Sequence, residues 1–185
     1  MSYKHCIMFG NNRYYTDQEK QDLYQALENE IKNGTKLFSV GVHGRFDVVA
    51  LWLCKKLRNI YPDIKVRVVF SNLNFLKKPN SPRTKELLEY YEDAEIFTYP
   101  IENIHYKAQI VATNKFMVDD STSIICNIDT DKHYGGAIQT YKYAKRKNKN
   151  VINLYTKNDE WTSSFLENNY LTSFTLAALP CLSRR

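Results

Sequence analysis

The stretch from Ile64 to Phe70 constrains the fold of this chain more than any other. Val66, Val68 and Val69 lie close together within it. β-Branched residues at this density favour a strand that is buried on both faces. Such strands are typical of parallel sheets, because helices then cover both sides of the sheet. The stretch therefore predicts a parallel sheet in an α/β protein.

Strand and helix patterns alternate along the chain up to residue 155. Strand candidates span residues 3–9, 37–40, 64–70, 96–99, 122–129 and 151–155. Helix candidates span residues 16–34, 48–60, 83–93, 105–118 and 136–147. The first helix begins with a capping-box pattern, Thr16 followed by Glu19, and ends at Gly34. This alternation predicts an α/β fold with a doubly wound, mostly parallel sheet and helices on both faces.

Length and charge limit the domain organisation and the class of ligand. The chain has 185 residues, of which 43% are hydrophobic, and this suits one globular domain with a sizeable core. We expect a domain over residues 1–155 and an extension over residues 156–185 that packs on the domain or on a partner. The net charge of +6 suits an anionic small ligand or a nucleic acid, although cations on helix faces are usually just solvated.

The cysteines and the chain ends indicate the compartment. Cys6, Cys54, Cys126 and Cys181 are scattered and show no metal-ligand spacing, so we expect no bound metal. The first three lie in apolar stretches and are expected in the core, whereas Cys181 can be exposed. The first residues lack the apolar run of a signal peptide, and no segment approaches the roughly 20 apolar residues of a membrane span. These features predict a soluble cytoplasmic protein with reduced thiols and no membrane partner.

Unusual residues collect where the predicted strands end. In a doubly wound sheet, ligands bind at the carboxyl ends of the strands. Four loops at this edge carry glycines, amides or charged residues, at positions 10–13, 41–47, 71–72 and 129–136. A tight turn explains each loop taken alone, but four such loops at one edge are a more specific signal for a ligand site.

The central hypothesis concerns Gly135 and Gly136, which lie between a buried strand and an amphipathic helix. A glycine pair at the head of a helix leaves backbone N–H groups free, and the helix dipole adds roughly half a positive charge. This combination predicts an anion site, most often for a phosphate. Arg13 and Arg45 can grip the same phosphate through their planar guanidinium groups.

Other loop residues have both a structural and a functional interpretation. Gly41 and Gly44 suit either a tight turn or a close approach of the backbone to a phosphate. Asp47 and Asp119 can cap a helix or accept a hydrogen bond from a ribose hydroxyl. His43 is a candidate acid or base, or it forms a local hydrogen bond.

Four segments resemble motifs of a known family. They are Phe9–Arg13, Tyr61–Lys65, Asn114–Ser121, and Gly135-Gly136 with Thr140 and Tyr143–Lys145. In composition and order they resemble the YpsA-like proteins of the SLOG (SMF/DprA/LOG) superfamily over residues 3–155. The resemblance implies a Rossmann-like fold and the binding of a nucleotide or a nucleotide-derived ligand, such as an ADP-ribose-like molecule or a signalling nucleotide.

The loops and the resemblance together define the expected ligand-binding residues. These are Gly10, Asn11, Arg13, Gly41, His43, Gly44, Arg45, Asp47, Ser71, Asn72, Asn114, Asp119, Asp129, Gly135, Gly136 and Thr140. The expected partner is a phosphorylated small molecule bound by a sensor or binding protein, and we also expect a homo-oligomer. No cofactor apart from such a nucleotide-type ligand is predicted.

Two alternatives to a binding protein remain open. The first is a hydrolase that cleaves an N-glycosidic or phosphate bond of a nucleotide, with His43, Asp47 or Asp119 as acid or base. The related LOG enzymes carry a Pro-Gly-Gly-x-Gly-Thr-x-x-Glu motif, and this chain has Lys142 at the position of the glutamate. The sequence therefore favours binding over that chemistry. The second alternative is a single-stranded nucleic-acid-binding module, which the DprA proteins of the superfamily suggest.

Overall fold

Six parallel strands form the centre of the fold in the part of the chain that the structure describes, residues 4–99 and 104–156. The structure is a computed structural model. The strands are β1 (Lys4–Gly10), β2 (Thr35–Val40), β3 (Lys65–Phe70), β4 (Glu95–Thr98), β5 (Ser123–Asn127) and β6 (Asn150–Asn153). Their order across the sheet is β4-β3-β2-β1-β5-β6, and every neighbouring pair is parallel. The predicted α/β fold is thus confirmed, with a described sheet that is parallel throughout.

Helices connect the strands and begin and end close to their predicted positions. They are α1 (Asp17–Lys32), α2 (Arg45–Ile60), α3 (Pro82–Tyr90), α4 (Tyr106–Asp120) and α5 (Gly136–Arg146), with a short 3-10 helix at Asn74–Lys77. The capping box of α1 is present, because the Thr16 hydroxyl accepts the Glu19 N–H at 3.2 Å and the Glu19 carboxylate accepts the Thr16 N–H at 2.9 Å. Helix α4 runs two residues past its predicted end, which puts Asp119 in its last turn.

The sheet separates two hydrophobic clusters, one on each face. Side chains alternate along a strand, so Met8 of β1 packs in the cluster with α1 and α2, whereas Ile7 packs in the cluster with α4 and α5. Strand β5 behaves in the same way, with Ile125 in the first cluster and Ile124 in the second. The central strands are therefore buried on both faces, as a parallel sheet requires.

Some expectations from the sequence fall outside the described residues. Cys6, Cys54 and Cys126 are buried, as predicted, but Cys181 lies outside those residues. The predicted extension over residues 156–185 also lies outside them, except for Thr156. Within the described ranges, no helix combines the length and the apolar character needed to cross a membrane.

The strand order creates a crevice at one edge of the sheet. From β1 the chain moves outward through β2, β3 and β4, and it then returns to place β5 on the other side of β1. Helices α2 and α5 consequently begin at the same edge of the sheet but on opposite faces. The loops diverge at this switch point and leave room for a ligand at the carboxyl ends of the strands.

The opposite, amino edge of the sheet is held together by buried polar side chains. The ring of His5 donates from Nδ1 to the Asp120 carbonyl oxygen at 3.0 Å and accepts at Nε2 from the Ser39 hydroxyl at 2.7 Å. The buried carboxylate of Glu30 accepts hydrogen bonds from hydroxyls on β2 and β5 at 2.8 and 2.7 Å. These bonds satisfy polar groups that would be costly to leave unpaired in the core, and they join the central strands to α1 and α4.

His5 makes the stability of the fold depend on pH. Burial lowers the pKa of His5 below its ordinary value of 6.5, although the Asp120 carbonyl oxygen opposes this effect. The unfolded chain therefore binds a proton more readily than the folded protein, and the contribution of His5 to stability is present above about pH 6.5 and lost as the pH falls. His5→Gln should reduce the fall in unfolding free energy between about pH 7.5 and pH 5.5, measured by urea denaturation.

The matched control for this prediction is His133→Gln, which replaces an exposed histidine in the loop after β5. The control should follow the pH dependence of the wild type, because its side chain is not part of the buried network. Identical pH dependence in the wild type and in His5→Gln would refute the assignment of this acid sensitivity to His5.

Candidate functional site

A pocket of about 300 Å³ lies at the switch point, at the carboxyl edge of the sheet, and we call it the strand-end pocket. The end of β1, the loop between β2 and α2, one face of α4 and the start of α5 form its walls. Most of the residues predicted to bind the ligand line this pocket. They are Gly10, Asn11, Gly41, His43, Gly44, Asp47, Asn114, Gly135, Gly136 and Thr140.

Helix α5 begins in this pocket with an open end. Gly135 has a φ of +110°, a conformation that favours glycine, and a Cβ added at Gly135 or Gly136 would meet open space. Within the described residues, no side chain caps the helix and the amides of residues 136–138 have no acceptor. Unpaired amides together with the helix dipole produce a partial positive charge. The start of α5 can therefore hold an anion.

Helix α2 begins at the same edge with a closed end. One carboxylate oxygen of Asp47 accepts the backbone N–H groups of His43 and Gly44, at 2.8 and 2.9 Å. The side-chain oxygen of Asn12 accepts the backbone N–H of Arg45 at 3.1 Å. The protein's own side chains thus engage three amides at the start of α2, and these amides are not free for the expected phosphate contact.

Two glycines allow α2 to approach the strand ends closely. A Cβ at Gly41 would lie 3.3 Å from the capping oxygen of Asp47, and a Cβ at Gly10 would lie 2.5 Å from the ring of Phe46. A side chain at either position would push against α2. Gly41 thus makes room for the helix cap.

Asp47 is the one carboxylate among the described residues that line the strand-end pocket. Burial raises the pKa of Asp47 to about 6, even though the hydrogen bonds from the His43 and Gly44 amides favour its charged form. Asp47 therefore changes its charge just below neutral pH. His43 also lines the pocket; its ring keeps substantial exposure to solvent, and partial desolvation lowers its pKa.

Asn11 contributes a hydrogen-bond donor that has no partner. The loop that carries it is fixed, because its backbone N–H donates to the Asn127 carbonyl at 3.1 Å and its carbonyl accepts the Tyr15 hydroxyl. The Nδ2 atom of Asn11 is buried and has no acceptor among the described residues. A buried donor left unpaired costs about 1–3 kcal/mol, so a ligand oxygen placed here would be stabilising.

The two arginines that were expected to bind phosphate contact other parts of the protein. Arg13 pairs with the Glu19 carboxylate and donates to Asn127 Oδ1 at 3.0 Å, which ties the start of α1 to the end of β5. Arg45 stacks over the exposed Tyr14 ring at 3.9 Å. Neither arginine is among the residues that line the strand-end pocket, because each side chain is already held by protein partners.

Asp119 lies at the opposite edge of the sheet from the pocket. It belongs to the last turn of α4, which leads into the start of β5. Its carboxylate accepts the Tyr143 hydroxyl at 2.8 Å and pairs with Lys147 at 3.1 Å, both near the end of α5. This position does not fit the expected contact with a sugar or a catalytic role, and Asp119 instead joins the C-terminal ends of two helices.

Three further residues from the predicted set lie at the carboxyl edge but outside the pocket lining, namely Ser71, Asn72 and Asp129. Ser71 is buried directly after β3. The side chain of Asn72 accepts the Asn74 N–H at 3.2 Å, and that of Asp129 accepts the Asp131 N–H at 3.1 Å. Asn72 and Asp129 therefore shape their own turns.

The lining also contains residues that the sequence analysis does not assign to the site. Ile110 and Met117 join Asn114 on one face of α4, and their helical spacing is the signal that could have found them. Tyr134 directly precedes the glycine pair and is 83% exposed. An aromatic ring at the rim of an anion site suits stacking on a planar group of a ligand.

Comparisons with known proteins give a family match and a shared fold. The chain matches the family model described as YspA SLOG family (YpsA) over residues 2–159. It is similar to the solved structure of DNA processing protein A from Helicobacter pylori, described for its single-stranded DNA binding mode. That match has 17% identity and a TM-score of 0.57, covers 86% of this chain and 68% of the other, and shows a common fold.

Neither a second structural match nor the curated proteins give further information on this chain. A probable mandelate racemase from Alicyclobacillus acidocaldarius matches with 12% identity and a TM-score of 0.33, over 80% of this chain and 41% of the other. A score that low carries no argument about fold or function. Among curated proteins there is no match.

Asp47→Asn tests the effect of burial on this carboxyl group. An asparagine oxygen can still accept both loop amides, so the variant removes mainly the charge. Because folding raises the pKa of Asp47 from 3.8 to about 6, its contribution to stability is greatest at low pH and declines as the pH rises through about 6. The variant should gain stability relative to the wild type by on the order of 2 kcal/mol between about pH 4.5 and pH 7.5, measured by urea denaturation.

A charge-matched control is Asp129→Asn, which alters a turn outside the pocket lining. This control should not reproduce the gain of Asp47→Asn as the pH rises. If Asp47→Asn and the wild type lose stability in parallel over this range, the carboxyl group titrates in the same way in the folded and unfolded protein.

Proposed function

The chain belongs to the YspA SLOG family, and we propose that it binds a nucleotide or a nucleotide-derived ligand at the carboxyl edge of the sheet. The observation that carries the proposal is the open start of α5 in a pocket of about 300 Å³. A phosphate of the ligand lies on the amides of residues 136–138, which otherwise have no acceptor among the described residues. The protein then serves as a binding or sensing protein for a phosphorylated small molecule.

The contrast between the two helix starts supports one orientation of the ligand. The cap of α2 is a carboxylate, and it carries a negative charge above about pH 6. A phosphate beside Asp47 would be repelled, whereas a sugar hydroxyl can donate a hydrogen bond to it. The phosphate therefore lies toward α5 and the sugar toward α2.

The remaining polar groups of the pocket suit the rest of a nucleotide. The unpaired Nδ2 of Asn11 can donate to a sugar or phosphate oxygen. Asn114 lines the pocket from α4 and offers both a donor and an acceptor. Tyr134 provides an exposed ring on which a base can stack.

The pocket favours binding over hydrolysis of the ligand. Lys142, at the position of the glutamate of the LOG motif, is outside the pocket lining among the described residues. Asp47 is the one carboxylate in that lining, and it is occupied as a helix cap. We therefore expect this carboxylate to hold the loop rather than to take part in bond cleavage.

The fold relative supports a nucleotide-related role. DNA processing protein A is described for its binding of single-stranded DNA, a polymer of nucleotides. The cytoplasmic location and the homo-oligomer expected from the sequence stay predictions.

Gly136→Asp tests the phosphate position. A side chain at this residue meets open space, and an aspartate in the first turn of a helix is compatible with the helix dipole, so the variant should fold. Its carboxylate takes the place of the phosphate at the helix start and repels the negatively charged phosphate group of the ligand. We expect affinity for ADP-ribose or AMP, measured by calorimetry after a thermal-shift screen of nucleotides, to fall at least about tenfold.

Gly136→Ala is the matched control, because it adds a methyl group without charge at the same position. It should keep affinity within about threefold of the wild type. Chromatography of the incubated nucleotides should show them unchanged. The proposal fails if no nucleotide of the screen stabilises the wild type, or if Gly136→Asp binds as well as Gly136→Ala.

A further inference from the structure

A second groove lies between the two helices that border the strand-end pocket. Helices α4 and α5 form it, and its volume is about 500 Å³. The residues that line it are Lys115, Gln139, Tyr141, Lys142, Lys145 and Arg146. None of them lines the strand-end pocket, so this α4–α5 groove is a separate surface.

Most of this lining is positively charged, and its cations have no carboxylate partner among the described residues. Within the described residues, no carboxylate oxygen lies within 4.0 Å of the side-chain nitrogens of Lys115, Lys142, Lys145 or Arg146. Two lysines nearby differ, since Lys147 pairs with Asp119 at 3.1 Å and Lys149 donates to two backbone carbonyls at the end of α4. The lysine and arginine side chains of the lining that have no described carboxylate partner are therefore gathered in the groove, whereas the two lysines beside it are held by other groups.

The cations lie on both walls of the groove. Lys142, Lys145 and Arg146 share one face of α5, because residues three and four apart are neighbours on a helix. Lys142 and Arg146 are about 6 Å apart along the helix axis, and Lys115 supplies the wall on α4. A chain of phosphates lying along the groove would meet cations on two successive turns of α5.

Tyrosines accompany the cations. Tyr141 lines the groove, and the ring of Tyr143 lies 5.7 Å from the Lys115 nitrogen and 5.9 Å from the Arg146 guanidinium carbon. At these distances the ring attracts both cations and helps to hold them at the groove. Positive grooves with aromatic side chains are typical of proteins that bind single strands, because phosphates contact the cations and bases stack on the rings.

We propose that the α4–α5 groove binds the phosphodiester backbone of a single-stranded nucleic acid. Its unpaired cations supply the charge, and Tyr141 supplies a surface on which a base stacks. The net charge of +6 favours the approach of a polyanion. This site does not rest on the nucleotide site proposed above, because the two share no lining residue.

The test measures binding of fluorescein-labelled oligo(dT) and oligo(U), each of about 20 nucleotides, to the full chain by fluorescence anisotropy. For single strands, the slope of log K against log salt is about −0.7 for each phosphate contact. Lys142→Gln with Arg146→Gln removes two contacts, so the slope should become shallower by about 1.4 and affinity at low salt should fall at least about tenfold. The probe that binds more tightly shows whether the groove prefers DNA or RNA.

The matched control is Lys20→Gln with Lys36→Gln. It removes the same formal charge from two exposed ion pairs, with Asp17 and with Asp63, away from the groove. The control should keep the wild-type slope, which separates a local contact from an effect of net charge. A slope that falls equally in both double variants would overturn the proposal.

Other outcomes also decide the question. Absence of binding at low salt, or an unchanged slope in the groove variant, overturns the proposal. A duplex bound as tightly as the single strand overturns the assignment to single strands, and equally effective competition by poly-glutamate assigns the groove to acidic proteins instead. Gly136→Asp, which blocks the strand-end pocket, should leave the slope unchanged; loss of oligonucleotide binding in that variant places the strand in the pocket.

Discussion

The hydrogen-bonding demand of a helix start is the constraint on which this structure depends. Helices α2 and α5 begin at the same edge of the sheet. Each needs acceptors for its first backbone amides, because these have no partner within the helix. At the start of α2 the protein's own side chains meet much of this need, since Asp47 and Asn12 accept three backbone N–H groups. Helix α5 leaves the need unmet by any described residue. In the binding mode proposed above, this difference gives the edge one end for an anion and one for a neutral donor.

The parallel topology explains why these features come together. Strand β1 has β2 on one side and β5 on the other, so the helices that follow β2 and β5 start at one edge from opposite faces. At the amino edge, the buried side chains of His5 and Glu30 are hydrogen-bonded to neighbouring elements. The strand-end pocket lies at the carboxyl edge. The buried polar bonds and the proposed ligand site therefore lie at opposite ends of the strands, and the carboxyl end is where doubly wound sheets usually bind ligands.

The sequence predicted the fold and the capping box of α1, because periodicity and caps act locally. It also predicted that most of the glycine-rich and polar loop residues lie together at one edge of the sheet. It did not predict the partners of charged side chains. Arg13 has a glutamate six residues away and an amide from β5, and these tertiary partners hold it away from the pocket. Asp119 lies in the last turn of α4, and its partners Tyr143 and Lys147 come from α5. Neither outcome can be read from motif spacing, since both depend on how distant elements pack.

The carboxylate of Glu19 links a local motif to the assembly of the whole sheet. It accepts the backbone N–H of Thr16 within the capping box, and it also holds Arg13, which donates to Asn127 on β5 as well. The carboxylate that caps α1 is therefore linked, through Arg13, to a strand more than a hundred residues later in the chain. Fraying of this turn and separation of the two central strands are thus coupled events, which makes the N-terminal part of the domain cooperative with its middle.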